Sequence, residues 1–361
     1  MTSARNPAFV TEWHALSESA EIANPFFGPD CILSADEHGL QSALQLATLR
    51  SEDGTLIALA PFAPTRLLPL TPGFLRFFTH DYLPVGTPLC LQPAADRASL
   101  LMQHLTAIFK KPFLLTDLDK RIFEAISAND KLHSVLLEDD ERAVIETQLS
   151  GDAYTKATLS KQRRKSLERR FRRLSEAVEK SGNPALQILS SDDSFDAAFD
   201  AFLALENAGW KGRAGTSLLS NPVSATFARQ AVSTAREKGA VEIAYLHAGE
   251  RLVASLVVFK AKEKRFAWKI AYDEDLSSFS PGVQLLSRYA RQVADTEGGL
   301  MLDSCSSSQN TMANAIMGER RKSVIALIAS PDATARTSTI ALMYRARLFA
   351  KSGLRRLLSR S

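Results

Sequence analysis

The stretch AYDEDLSSFSPGVQLLSRYARQV, residues 271–293, decides how the chain is read. It follows RFAWKI, residues 265–270, a short aromatic run bounded by turn residues, as strands are. Beyond it, Leu286, Tyr289, Ala290 and Val293 recur at helical spacing. Between the two lies Ser280-Pro281-Gly282. Serine is a favoured N-cap and proline suits the first helical position. Gly282 removes a side chain where a ligand could approach. The first-turn amides of a helix lack intrahelical partners and carry the positive end of its dipole. Such a turn is either an ordinary well-capped start or a seat for phosphate. Arg288 and Arg291 add positive charge further along, whereas Asp273-Glu274-Asp275 puts carboxylates just upstream. Those acids must point away from an anion, or serve an amine substrate.

The same pattern occurs earlier. EDGTLIALAPF (residues 52–62) parallels HAGERLVASLVVF (247–259), and FLRFFTHDYLPVGTPL (74–89) parallels RFAWKIAYDEDLSSFSPGVQLL (265–286). Leu56 precedes Gly86 by 30 residues, and Leu252 precedes Gly282 by 30. The matched offset predicts an internal duplication. The copies differ after the loop. In the first, Gly86-Thr87-Pro88 runs into an extended segment broken by Pro93, and the next helix is expected over residues 94–109.

The chain has 361 residues, 45% of them hydrophobic, enough for two domains with real cores. Its net charge of +4 does not by itself call for nucleic acid. Cys31, Cys90 and Cys305 are far apart, the six histidines are scattered, and neither pattern predicts a metal site. No apolar h-region marks the N-terminus, and no run reaches membrane-spanning length, so a soluble cytoplasmic protein is expected.

The second half reads as a basic helix near 160–180, helices near 192–206 and 222–238, and strands near 185–190, 241–247, 251–260 and 264–272. The helix of 281–297, a strand at 300–303, a short helix and a strand at 323–329 follow. This is α/β with mixed sheets flanked by helices. Boundaries are expected near 150 and 332. The tail from 333 is basic and helix-prone; it reads as a helix docked on the body, with an anionic membrane surface as the alternative.

Three further clusters carry candidate chemistry. LENAGWKGRAGTSLL (205–219) leaves a helix at Glu206 and enters a glycine-rich loop holding Trp210 and Lys211. Glu206 is a candidate general base if it lies in a cleft. Asp303 ends an apolar strand, where sites collect in α/β sheets. Cys305 beside it has no visible histidine partner. LSKQRRKSLERRFRRLSEA (159–177) places Leu167, Phe171 and Leu174 on one helical face and cations elsewhere. That face is solvated, binds RNA, or meets the anionic tail of a cofactor.

Taken together, ENAGWKGRAGTSL, AGERLVASLVVF, AYDEDLSSFSPGVQLL and LDSC resemble the GNAT superfamily. The likeness is greatest to its paired acyltransferases associated with cellulose biosynthesis and related to the FemABX peptidyltransferases. NPFFGPDCI, DGTLIALAPF and HDYLPVGTPL extend it over residues 8–330.

The resemblance implies two tandem GNAT-like domains, a degenerate one (1–150) and an acyl-coenzyme A-binding one (151–332). It implies acetyl-CoA or another acyl-CoA as co-substrate, with pantetheine along the strand edge from Phe266 through Ala271 to Tyr272. The pyrophosphate would meet Ser280, Gly282, Val283 and Gln284, with Arg288 nearby. An amine, of a sugar or envelope precursor, attacks the thioester. Glu206 or Asp303 is the expected base and Tyr272 the acid for the thiolate, with Trp210, Lys211 and Asp273 on the acceptor side. The loop has one glycine where GNAT loops have two or more. The alternatives are an aminoacyl-tRNA-dependent transferase, with RNA on the basic helix, and a non-catalytic module of a polysaccharide synthesis system.

Overall fold

The computed structural model describes residues 2–69, 71–190 and 194–358. Its elements fall into two compact units. Unit 1 holds helices α1 (Pro7–Ser19) and α2 (Pro29–Glu37) and strands β1 (Gln45–Arg50), β2 (Leu56–Thr65), β3 (Phe74–Phe77) and β4 (Leu89–Cys90). Helix α3 (Ala94–Phe109), strand β5 (Phe113–Asp119), helix α4 (Lys120–Ser127) and the first part of β6 (His133–Thr147) follow.

Unit 2 begins within β6 and takes in helices α5 (Gly151–Thr158) and α6 (Lys161–Ala177), strand β7 (Pro184–Leu189), and helices α7 (Phe195–Ala208), α8 (Trp210–Arg213) and α9 (Pro222–Glu237). Strands β8 (Val241–Ala248), β9 (Arg251–Ala261) and β10 (Lys264–Tyr272), helix α10 (Pro281–Glu297), strand β11 (Leu300–Asp303) and helix α11 (Thr311–Asn314) complete it. The chain re-enters unit 1 within β12 (Glu319–Ala329) and ends in α12 (Thr334–Leu358).

The compact units part at residues 140/141 and 321/322, inside strands β6 and β12, and residues 37–40 also belong to unit 2. Segment 333–361 is therefore not a separate body: Ile340 and Ala341 of α12 are buried against Phe74, Leu114 and Leu327 of unit 1, and Arg345 donates to the Leu136 carbonyl. Residues 359–361 lie outside the described residues.

The expected duplication is visible in the topology. In unit 1, β1 pairs antiparallel with β2, β2 antiparallel with β3, and β3 parallel with β5, with α3 in the crossover. In unit 2, β8, β9, β10 and β11 repeat that order and those directions, with α10 in the crossover. Helix α3 spans 94–109, as its sequence predicts. Parallel neighbours need a crossover helix, so each copy must send a helix over its sheet between the third and fourth strands.

Alternation sets which face α10 buries. Leu285, Leu286, Tyr289 and Val293 enter a core with Ala254, Leu256 and Val258 of β9 and Leu302 of β11. A polar knot fixes the far half of the helix on the sheet. Glu242 of β8 accepts from Arg265 Nε at 3.2 Å and from the Tyr289 hydroxyl, and Arg265 Nη1 donates to Glu297 at 2.8 Å. Burial first, and the Glu242 charge second, push the Tyr289 phenol well above its usual range, so it stays a donor. Removing Glu242 leaves the buried Tyr289 hydroxyl and Arg265 Nε without this acceptor, while Glu297 still pairs Arg265. Glu242→Ala should therefore cost about 1–3 kcal/mol, read as a lowered urea midpoint of the intact chain.

Candidate functional site

The site grows from the short ladder between β10 and β11. These strands pair only over Lys264–Phe266 against Met301–Asp303. Beyond it β10 carries a bulge: Ala267 pairs with Val258 and Lys269 with Val257, leaving Trp268 as the extra residue. A bulge bends and twists its strand. β10 thus runs on to Tyr272 alongside β9, past the end of its pairing with β11.

An open pocket lies against this end of β10, lined by Ile270, Ala271, Tyr272 and Glu274 on one side and Leu205, Glu206, Gly209, Trp210 and Lys211 on the other. Glu206 ends the buried face of α7 and is 3% exposed. Its Oε1 accepts from Lys211 Nζ at 2.8 Å and its Oε2 from the Leu218 amide at 2.9 Å. Lys211 Nζ also donates to the Ile270 carbonyl at 3.1 Å. An ammonium has three N–H donors, and these two partners use two. Trp210, at the rim, is 54% exposed.

The acidic triplet after β10 has a structural explanation. Asp273 Oδ1 caps the 3-10 turn Glu274–Phe279 through the Asp275 amide, and its Oδ2 takes two hydrogen bonds from Arg251, at 2.9 and 2.6 Å. Glu274 accepts from the Trp210 amide and from Arg213, which hold its carboxyl below the usual range. Asp273 is therefore engaged, and is not the open acceptor-side contact expected of it. Glu274, which the sequence leaves without a role, ties α8 to the end of β10.

At the mouth of α10, Ser280 has φ 56° and makes no side-chain cap. Its hydroxyl instead bonds Arg170 of α6 at 2.9 Å. The Gln284 amide donates to the Ser280 carbonyl at 3.1 Å, so two amides, Gly282 and Val283, lie ahead of the intrahelical ladder, not three. The Gln284 side chain donates to the Leu167 carbonyl at 3.0 Å and fastens α6 to α10. Gly282 packs closely: a Cβ there would lie 2.7 Å from Met312 Cε, the end of a flexible side chain, and 3.3 Å from Tyr272 Cδ1. Arg288 is drawn away from the mouth, its guanidinium 3.3 Å from the centre of the Phe171 ring and its pKa lowered by burial and then by Arg291. Arg291 pairs with Asp152.

Two arginines that sequence reasoning placed on a generic basic face stand at this mouth. Arg170 bonds Ser280, and the Arg173 guanidinium lies 5.8 Å from the centre of the Phe279 ring.

This geometry matches a known domain. Residues 161–306 match the family model of the acetyltransferase (GNAT) domain. Solved structures share the fold over the chain's length. FemX superposes with a TM-score of 0.56 at 9% identity, covering 90% of this chain and 97% of its own. A DUF2156 domain from Agrobacterium fabrum gives 0.56 at 10% identity, covering 92% and 95%. A protein of unknown function from Bacteroides thetaiotaomicron gives 0.53 at 9%, covering 89% and 97%. At these identities the likeness establishes the α/β fold. Comparison with curated proteins finds no match. Among the described residues no helix is long and apolar enough to cross a membrane, and no cluster of three His, Cys, Asp or Glu could hold a metal ion.

The matched segment brings Glu206, Trp210, Lys211, Ala271 and Tyr272 to one pocket, with Gly282 near the Tyr272 ring. Asp303 is not among them. It is level with Phe266, six residues before Tyr272, about 20 Å along the strand. It is fully buried, with Arg142 at 3.6 Å and Arg321 at 3.2 Å, and its Oδ1 accepts from the Cys305 amide. Burial alone would raise its pKa, but Arg142, Arg321, the Cys305 amide and Lys264 more than offset this and hold it below the usual range. A carboxylate so stabilised is a weak base.

Because its folded pKa is depressed, Asp303 contributes stability that is present above the ordinary carboxylate pKa, near 3.9, and lost as pH falls through the folded value. Asp303→Asn should lose about 3–5 kcal/mol at pH 7, and its deficit against the natural chain should narrow below about pH 4, as followed by urea melts across pH.

Proposed function

We propose that the chain is an acyl-CoA-dependent N-acyltransferase, with acetyl-CoA as its donor and an amino sugar of an envelope precursor as its acceptor. The observation that carries the reading is the meeting of two features on one strand end. The pocket built on Glu206 and Lys211 and the mouth of α10 share Tyr272, which lines the first and packs on Gly282 of the second. A helix mouth whose first amides lie outside the intrahelical ladder suits the donor's phosphates. Gly282 and Val283 supply two such amides, and of the three acids upstream Asp273 pairs with Arg251 and Glu274 with Arg213.

The chemistry asked of the chain is modest. Lys211, aimed by Glu206, donates its third N–H to the thioester oxygen as negative charge develops there. Glu206 has both oxygens engaged, so it positions Lys211 and is not itself the base. The acceptor reacts as its free amine, giving its proton to water at the pocket mouth. Tyr272 supplies a proton to the departing thiolate. Trp210 offers an exposed flat apolar face at the rim, on which a sugar ring can lie. The α6 cations favour a second reading, in which the donor is an aminoacyl-tRNA.

Calorimetric titration separates them. Acetyl-CoA should bind, and Ser280→Asp should weaken it about ten-fold or more while leaving Tm unchanged, because aspartate tolerates positive φ and faces Arg170. Tight, salt-sensitive tRNA binding with no response to acetyl-CoA would overturn the donor assignment. With glucosamine as acceptor, thiol release should fall about 10²–10³-fold in the Glu206→Gln/Lys211→Met double variant, which leaves no buried charge unpaired. Lys211→Met alone should also unfold more easily, by about 3–5 kcal/mol.

A further inference from the structure

Helix α6 carries more positive charge than its packing explains. Leu167, Phe171 and Leu174 pack against the core of unit 2, and Arg164 donates to the Lys156 and Leu159 carbonyls. Lys161, Lys165, Arg169 and Arg173 remain in one row at i, i+4 spacing, all exposed. Like charges at that spacing destabilise a helix, each pair by about 0.2–0.5 kcal/mol. The row is therefore a local cost, and its C-terminal end is fixed in place. Arg173 stands over Phe279 and Arg170 holds the Ser280 hydroxyl, so both guanidiniums flank the mouth of α10. Arg170 spends one of its five N–H donors on Ser280.

The mouth needs them. Two amides and the half charge of a helix dipole suffice for one phosphate group or a pyrophosphate edge. Coenzyme A brings a pyrophosphate and a separate 3′-phosphomonoester, which itself carries nearly two charges at neutral pH. Arg288 and Arg291, the arginines within α10, are committed to Phe171 and Asp152. Guanidinium forks match phosphate oxygens in pairs, and two of them on one rigid helix lose little freedom in binding.

We infer that Arg170 and Arg173 form a clamp for a phosphomonoester outside the pyrophosphate, so that the enzyme distinguishes 3′-phosphorylated coenzyme A from dephospho-coenzyme A and from pantetheine carriers lacking that group. This rests on the acyl-CoA reading above and adds a specificity determinant to it. The apolar side of α6 is spent on α10, so the helix has no greasy face left for a bilayer.

The test titrates the full chain with acetyl-CoA and with 3′-dephospho-acetyl-CoA, in the natural sequence and in Arg170→Gln and Arg173→Gln. Arg173→Gln loses only a ring contact and guards against a fold defect from the lost Ser280 bond. Acetyl-CoA should bind about ten-fold or more tightly than its dephospho form. Each variant should shrink that ratio toward one by weakening acetyl-CoA alone, with dephospho-acetyl-CoA affinity unchanged, and added salt should shrink the ratio in the natural chain. Equal affinity for the two donors in the natural chain overturns the clamp and leaves the acyl-CoA reading intact. A ratio that survives both variants overturns its assignment to these arginines. Binding of neither donor, with tRNA bound and released by both variants, overturns the acyl-CoA reading and the clamp with it.

Discussion

Three residues of parallel pairing govern the second unit. Lys264–Phe266 lie against Met301–Asp303, and no further. A parallel neighbour requires a crossover, and the crossover is α10. The helix must start beyond the end of β10 and return to the start of β11. Its N-terminus therefore falls at the end of β10 that the β11 ladder does not reach. The bulge at Trp268 turns that end further, and Trp268 is held there edge-on to Phe259, with ring centres 5.2 Å apart. A longer ladder would have extended β11 alongside Ile270–Tyr272, where the pocket now lies. The site is the consequence of a sheet that stops pairing early.

The open end is then fastened by charge. Glu274 reaches from the turn after β10 to the first amide of α8, and Lys211 reaches back from α8 to the Ile270 carbonyl. Two opposite ties thus join the same pair of elements. Gly212 makes this possible, since a Cβ there would lie 1.7 Å from the Asn207 carbonyl oxygen. Glu206 beneath them is buried with both oxygens satisfied, so Lys211 is presented in one place. Ion pairing of this kind adds little net stability, but it fixes geometry.

The order of strands and helices was legible because each depends on neighbours in sequence. The 30-residue offset of the two copies, the helix at 94–109 and the strand–loop–helix at 265–297 all rest on local periodicity and turn chemistry. The pocket residues Glu206, Trp210, Lys211, Ala271 and Tyr272 were legible as two stretches, because glycines and an exposed tryptophan mark a loop on the surface. What local sequence does not carry is which partner each charge finds. Arg288 looks poised on its helix until Phe171, 117 residues earlier, covers it. Asp303 looks like a base at a strand end until Arg142 and Arg321 close on it. Asp273 and Glu274 look repulsive until Arg251 and Arg213 arrive from two other elements. Each reversal is a long-range ion pair or a ring contact, and no window of residues holds both partners.

The two copies differ at the mouth of the crossover helix. In unit 1, the equivalent helix α3 starts at Ala94, whose amide donates to the Glu21 carboxylate at 2.8 Å. A carboxylate there satisfies the helix dipole and repels any other anion. In unit 2, the cap position of α10 is Ser280, its hydroxyl turned to a guanidinium, with a second guanidinium over the adjoining ring. The same fold step, a crossover helix over a short parallel ladder, ends on a negative charge in one copy and beside positive side chains in the other. The scaffold occurs twice, and the two helix mouths differ in the sign of the charge beside them.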